Sequence, residues 1–248
     1  MIGVHKAYDT RMTFGCLAAA GVAFWVSLAA LPGAAEAQSF DPPQGCEGVV
    51  TIQHRGCIVT NLWTCEADAP GEQWIAVFAA PGPIQLKKVD ENFQWLETVH
   101  PGIPGFRDGW IETQTEAPDP ASLDELFSTG FDSYDFTIER SDGEPAERIV
   151  GYDQLTGEEV VIDGEPLLRT EYAYEQLGPD GEVLARRAGR QFVSERFRIF
   201  TFGESWDRDA PDEVRDSSPV EFVFPGEPGF MTATPKYDCG VEMTGYRP

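Results

Sequence analysis

SDGEPAERIVGYDQLTGEEVVIDGEPLLRTEYAYEQLGPDGEVLARR, residues 141–187, holds three Asp-Gly dipeptides at Asp142-Gly143, Asp163-Gly164 and Asp180-Gly181. Between them, β-branched and aromatic residues recur at every second position. Asp-Gly suits the positive φ angles of a type I′ hairpin turn. Period-two alternation is the pattern of a strand with one buried face. The stretch reads as the heart of an antiparallel meander running from Ser133 to Phe202, with strands at Ser133–Arg140, Arg148–Tyr152, Glu158–Ile162, Leu167–Gln176, Val183–Arg187 and Gln191–Phe202.

The same pattern extends outward. Gly48–Gln53, Cys57–Thr64, Gln73–Ala79, Ile84–Val89, Phe93–Val99 and Trp110–Thr115 precede the meander, and Val220–Phe224 follows it. One short helix is expected near residues 122–129. Ser122 and Glu125 form a capping box, Leu123, Leu126 and Phe127 share a face, and Gly130 stops the helix. Asp-Gly-Glu-Pro recurs at 142–145 and 163–166 without matching flanks, which is shared turn chemistry rather than duplication. The fold class is all-β: an antiparallel meander forming a sandwich, half-barrel or barrel.

Residues 1–37 read as a secretory signal. Lys6 and Arg11 precede an apolar run from Thr13 to Pro32, which ends at Ala35-Glu36-Ala37. The run nears the length of a membrane-spanning helix, so a retained anchor is the alternative. Cys16 opens the run and leaves with a cleaved signal. Cleavage leaves 38–248 as a single disulfide-stapled β domain with no membrane span, periplasmic or secreted. The topology, though no motif, resembles that of periplasmic carriers of the lipoprotein-sorting type, which implies a concave sheet covered by helices.

The chain has 42 acidic and 18 basic residues, a net charge of −24. The signal holds two of each, so the mature chain keeps the whole excess. Such a chain lacks the basic face that nucleic acid requires.

Four cysteines remain: Cys46, Cys57, Cys65 and Cys239. No Cys-x-x-Cys pair occurs, so disulfides are expected rather than zinc. A two-residue turn at Arg55-Gly56 would set Cys46 opposite Cys65 and leave Cys57 for Cys239. The rival pairing is Cys46–Cys57 with Cys65–Cys239.

No catalytic motif stands out. Gly203-Glu204-Ser205-Trp206-Asp207 lacks the second glycine of a nucleophile elbow, and no histidine follows it. His54 reads as an exposed turn residue and His100 as a loop residue bonding local backbone. Asp207, Asp209 and Asp212 are weak calcium candidates in an acidic loop, Asp207–Ser218, that departs from the EF-hand pattern. No cofactor is implied. On a continuous strand, Arg196 and Arg198 would share a face with Phe192 and Phe200. That makes Trp95, Trp110, Arg196, Arg198 and Phe200 the candidate lining of a site for a small apolar or anionic ligand. Three functions are compatible with these features: a non-catalytic binding protein using a concave sheet, for a small ligand or a protein partner; an envelope structural or interaction module; and a hydrolase using two carboxylates.

Overall fold

The computed structural model describes residues 39–102 and 108–240; the expected signal, with Cys16, lies outside them. In chain order the elements are β1 (Cys46–His54), β2 (Ile58–Cys65), β3 (Gln73–Ala79), β4 (Gly82–Val89), β5 (Trp95–His100) and β6 (Trp110–Asp119), then α1 (Leu123–Thr129). They continue as β7 (Phe131–Arg140), β8 (Glu147–Ile162), β9 (Glu165–Leu177), β10 (Val183–Ser194), β11 (Ile199–Asp207), β12 (Ala210–Asp216) and β13 (Pro219–Val223). All thirteen strands join one antiparallel sheet in the order β12-β11-β10-β9-β8-β7-β6-β5-β4-β3-β2-β1-β13.

The sheet is open, with β12 and β13 as its edges. Those two edges are nonetheless consecutive in the chain, separated only by Ser217-Ser218. The sheet must therefore curl until its edges approach one another, a sandwich-like or half-barrel form. The closed barrel falls, because β12 pairs only with β11 and β13 only with β1. The curl brings the two halves of the sheet against each other. Val50, Ile52, Leu62, Ile75 and Val77 from one half meet Leu167, Phe192, Phe197 and Ile199 from the other in the largest core cluster.

Of the three Asp-Gly turns, only Asp163-Gly164 is a two-residue hairpin, with φ of 50° and 82°. Pro145 and Pro179 lie in the other two connections, 141–146 and 178–182, where a residue with no N–H cannot extend the ladder. Arg148–Tyr152 and Glu158–Ile162 are one strand, β8, with an irregularity between Leu155 and Glu159. In contrast, Gln191–Phe202 is two strands, parted by a turn at 195–198. There Phe197 drops into the core, its N–H donating to Ser194 Oγ at 3.1 Å, and Arg198 takes φ of 52°. Arg196 and Arg198 thus stand on a turn, and the shared face with Phe192 and Phe200 does not form.

The expected acidic loop is a hairpin of β11 and β12. Its Arg208-Asp209 turn closes with the Asp209 N–H donating to Asp207 Oδ1 at 2.9 Å. In α1, Ser122 Oγ accepts from the Glu125 N–H, and Gly130 is left-handed at φ 83°. Only half of the capping box forms, because the Ser122 N–H donates instead to Asp132 Oδ2 at 3.0 Å.

The disulfides are Cys46–Cys65 and Cys57–Cys239. The register behind the first departs from expectation twice. The β1–β2 turn has three residues, Arg55-Gly56-Cys57, so His54 faces Ile58 and Ile52 faces Thr60. An extra residue, Val49, then shifts the pairing back, and Cys46 does face Cys65. Two disulfides mark an oxidising, non-cytoplasmic compartment. Among the described residues no helix is long and apolar enough to cross a membrane.

Candidate functional site

The strongest constellation lies where β7, β8 and β9 run side by side. Asp132 on β7 is the register partner of Asp153 on β8, and Tyr134 is the partner of Gly151. On β9, Tyr172 stands opposite Asp153 and Tyr174 opposite Gly151. On β10, Gly189 stands opposite Tyr172. Residues opposite in an antiparallel ladder share a face, so two carboxyls and three phenols gather on one side of the sheet. The glycines make the space. A Cβ on Gly151 would sit 2.8 Å from Tyr134 Cε2, and one on Gly189 would sit 2.5 Å from Tyr172 Cε1. The tyrosine rings therefore lie down across the strands. The rings of Tyr172 and Tyr174 run nearly parallel, 16° apart in plane with centroids at 6.2 Å.

Both carboxyls are buried, Asp132 at 4% exposure and Asp153 at 6%. The amide at the N-cap of α1 reaches Asp132 Oδ2, and Gln191 Nε2 donates to Asp153 Oδ1 at 2.9 Å. Asp132 Oδ1 is buried without a hydrogen-bond partner. Among the described residues no lysine or arginine acts on either carboxyl. Burial pushes Asp132 up to about 6, against the Ser122 N–H, with Glu125 and Asp119 adding to the rise. Burial likewise pushes Asp153 up to about 7, with Asp132 adding and Gln191 opposing. Burial and Asp153 hold the Tyr134 phenol well above its ordinary value. Burial and Tyr174 push Tyr172 up to about 12. The phenols thus remain O–H donors, while the carboxyls exchange protons near neutral pH. Such a face can accept hydrogen bonds from a ligand's N–H or O–H groups, take up a cation, or give and receive a proton.

The five residues expected to line a ligand site are not brought together. Lys87 Nζ lies 3.4 Å from the centroid of Trp95, whose ring packs edge-on against Phe136. Burial lowers the Lys87 ammonium to about 7, and Glu112 works against that fall. Trp110 stacks on His100, with centroids 4.4 Å apart, and the Arg140 guanidinium lies 4.7 Å from its ring. Glu112 ties this array, accepting from Trp110 Nε1 at 3.1 Å and facing His100 Nε2 at 3.0 Å. His100 ends a strand and its Nε2 faces a carboxylate rather than local backbone. Phe200 meets Phe93 edge-on and packs with Leu123 and Leu126.

Arg196 pairs with buried Glu165 at 2.9 Å, and Arg198 with Asp124 at 2.8 Å and the Glu91 carbonyl at 2.6 Å. Both arginines border an open cleft of about 510 Å³, but Glu66, Asp68, Glu72 and Glu91 border it too and cancel the field an anion would need. Asp207 pairs with Arg187 at 3.3 Å, Asp209 lies 3.8 Å from Arg186, and Asp212 is exposed on β12. Among the described residues no group of three or more His, Cys, Asp or Glu side chains is placed to hold a metal.

The sequence does hold a trace of the carboxyl pair. Asp132-Tyr134-Phe136-Ile138 and Ile149-Gly151-Asp153 each keep one period-two phase, so an acid in phase with buried Phe and Ile marks an inward carboxylate. The chain matches no family model, no curated protein and no solved structure.

Proposed function

We propose that the protein is a non-catalytic binding protein, periplasmic or secreted, that holds a small ligand on the sheet face carrying Asp132 and Asp153. One observation carries this reading: two carboxyls are buried side by side, one oxygen unpaired, with no cation among the described residues acting on them. A buried carboxylate pair costs stability unless something compensates it, and a bound ligand bearing N–H or O–H donors supplies that compensation. The tyrosine rings add faces for stacking and three hydroxyls for orientation. This moves the expected ligand from apolar or anionic to amine or polyol. Calorimetric titration with spermidine and with glucose tests it. Saturable binding of one of them, weakened tenfold or more by Asp153→Asn and unchanged by Arg196→Ala, supports the reading. Absence of binding by both, or binding indifferent to Asp153→Asn, overturns it in favour of an envelope interaction module.

A hydrolase is the second reading, favoured by the same pair. Directly opposed residues in a ladder hold their side chains within reach of one another, and a close pair of carboxyls is what retaining glycosidases use. Turnover of a chromogenic glycoside, lost in both Asp132→Asn and Asp153→Asn, would establish it.

A further inference from the structure

A second pocket, of about 70 Å³, lies between β1 to β4 and β11, with Ile52, Ile75, Val77 and Phe200 among its walls. Three of its polar atoms are buried and unpartnered: His54 Nε2, Thr60 Oγ1 and Thr201 Oγ1. His54 is 1% exposed, which corrects its expected place on the surface. Its Nδ1 lies 3.2 Å from the Ser217 carbonyl oxygen. A carbonyl only accepts, so Nδ1 carries the proton and Nε2 keeps a bare, unpartnered lone pair. Half-buried Gln85 and Lys87 and exposed Phe202 also line the pocket.

The unmet hydrogen bonds define their complement. Nε2 needs one donor. The two threonine hydroxyls each need an acceptor. A protonated carboxyl offers one O–H and one carbonyl oxygen with two lone pairs, which matches the set. A single water needs about 10–15 Å³ of such space, so the pocket has room for roughly five heavy atoms, the size of a three-carbon acid. Isoleucine, valine and phenylalanine walls suit its alkyl part and favour the uncharged form.

We infer that this pocket binds the carboxyl end of a short-chain carboxylic acid in its neutral form, the acid O–H donating to His54 Nε2 and the Thr60 and Thr201 hydroxyls donating to the carbonyl oxygen. Burial holds His54 down to about 3, so the imidazole is ready to accept. The site is separate from the Asp132–Asp153 face, and neither reading depends on the other.

The test uses the mature chain with 15N-labelled histidine, titrated with propionic acid at about pH 5, where an appreciable part of the acid is neutral. The expected result is a saturable shift of the His54 Nε2 resonance with a Kd on the order of 1 mM, the affinity open to so few heavy atoms. In Thr60→Val/Thr201→Val the affinity drops tenfold or more, and propylamine shifts nothing in either protein. If the double variant does not fold, Thr201→Val alone is read the same way. A His54 resonance that ignores propionic acid overturns the inference and leaves the pocket to water. So does an equal shift in a variant that melts where the parent does.

Discussion

His54 and the Asp132–Asp153 pair are both buried titratable groups held neutral by the same force, and they respond to pH in opposite directions. At His54 a base has lost its solvent, in a region where both disulfides anchor in β1, β2 and the turn between them. At Asp132 and Asp153 two acids have lost theirs, in a meander that no disulfide crosses. His54 is lowered from 6.5 to about 3, so its contribution is fully present above pH 6.5 and drains away as pH falls toward 3. The carboxyls are raised from 3.8 to about 6 and about 7, so their contribution is full below pH 3.8 and drains away as pH rises through 6 and 7. Each group is worth about 1.4 kcal/mol per pH unit inside its window. Between about pH 4 and 6 two acids oppose one base, and the acids prevail. One end of the sheet is built to resist alkali and the other to resist acid.

The largest expected effect breaks the stapled end alone. Cys57→Ser/Cys239→Ser opens a loop with a sequence separation of 182, for which chain entropy sets a loss of about 5 kcal/mol. Hydrogen exchange should rise first in β1, β2 and β13, while β7 to β9 keep their protection; equal loosening everywhere would dissolve the contrast between the two regions. Next, Asp153→Asn keeps an acceptor for Gln191 and removes the charge. It should stabilise the protein at pH 8 by roughly 2–4 kcal/mol and leave it nearly unchanged at pH 4, as read by urea unfolding at both values. A loss of stability at pH 8 would refute the neutral-acid account. His54→Gln should remove the contribution that opposes the acids, so between about pH 4 and 6 the stability profile should steepen by about 1.4 kcal/mol per unit, leaving the alkaline limb as it was. Last, Ser122→Ala removes the α1 cap at a cost of about 1 kcal/mol. The bond from the Ser122 N–H to Asp132 is a backbone donor and survives, so the alkaline limb should not move.

The strands were legible where local chemistry writes them. Gln73–Ala79 is read with its observed bounds, Asp163-Gly164 is the turn its residues ask for, and Ser122 caps the helix that Leu123 and Leu126 anchor. What stayed hidden depends on distant partners. The break at 195–198 has no glycine or proline and exists because Phe197 finds the core. β12 carries no apolar phase and is held as a strand by pairing with β11. His54 looks like a turn residue until the Ser217-Ser218 link, 163 residues later, crosses over it. The candidate site was half legible, since the inward phase of Asp132 and Asp153 can be read along each strand while their opposition across two strands cannot.

Ser39 bridges Thr232, and Cys239 is bonded to Cys57. Nearly the whole sheet therefore hangs inside one covalent ring whose clasp lies beside both ends of the domain. A pull on the two ends is carried from β1 through that clasp into the tail, and the strands from β3 to β13 never enter the line of force. The domain would behave as a short link whose carboxyl pair is shielded from any tension applied through its ends, while His54, the last residue of β1, lies in the line of force.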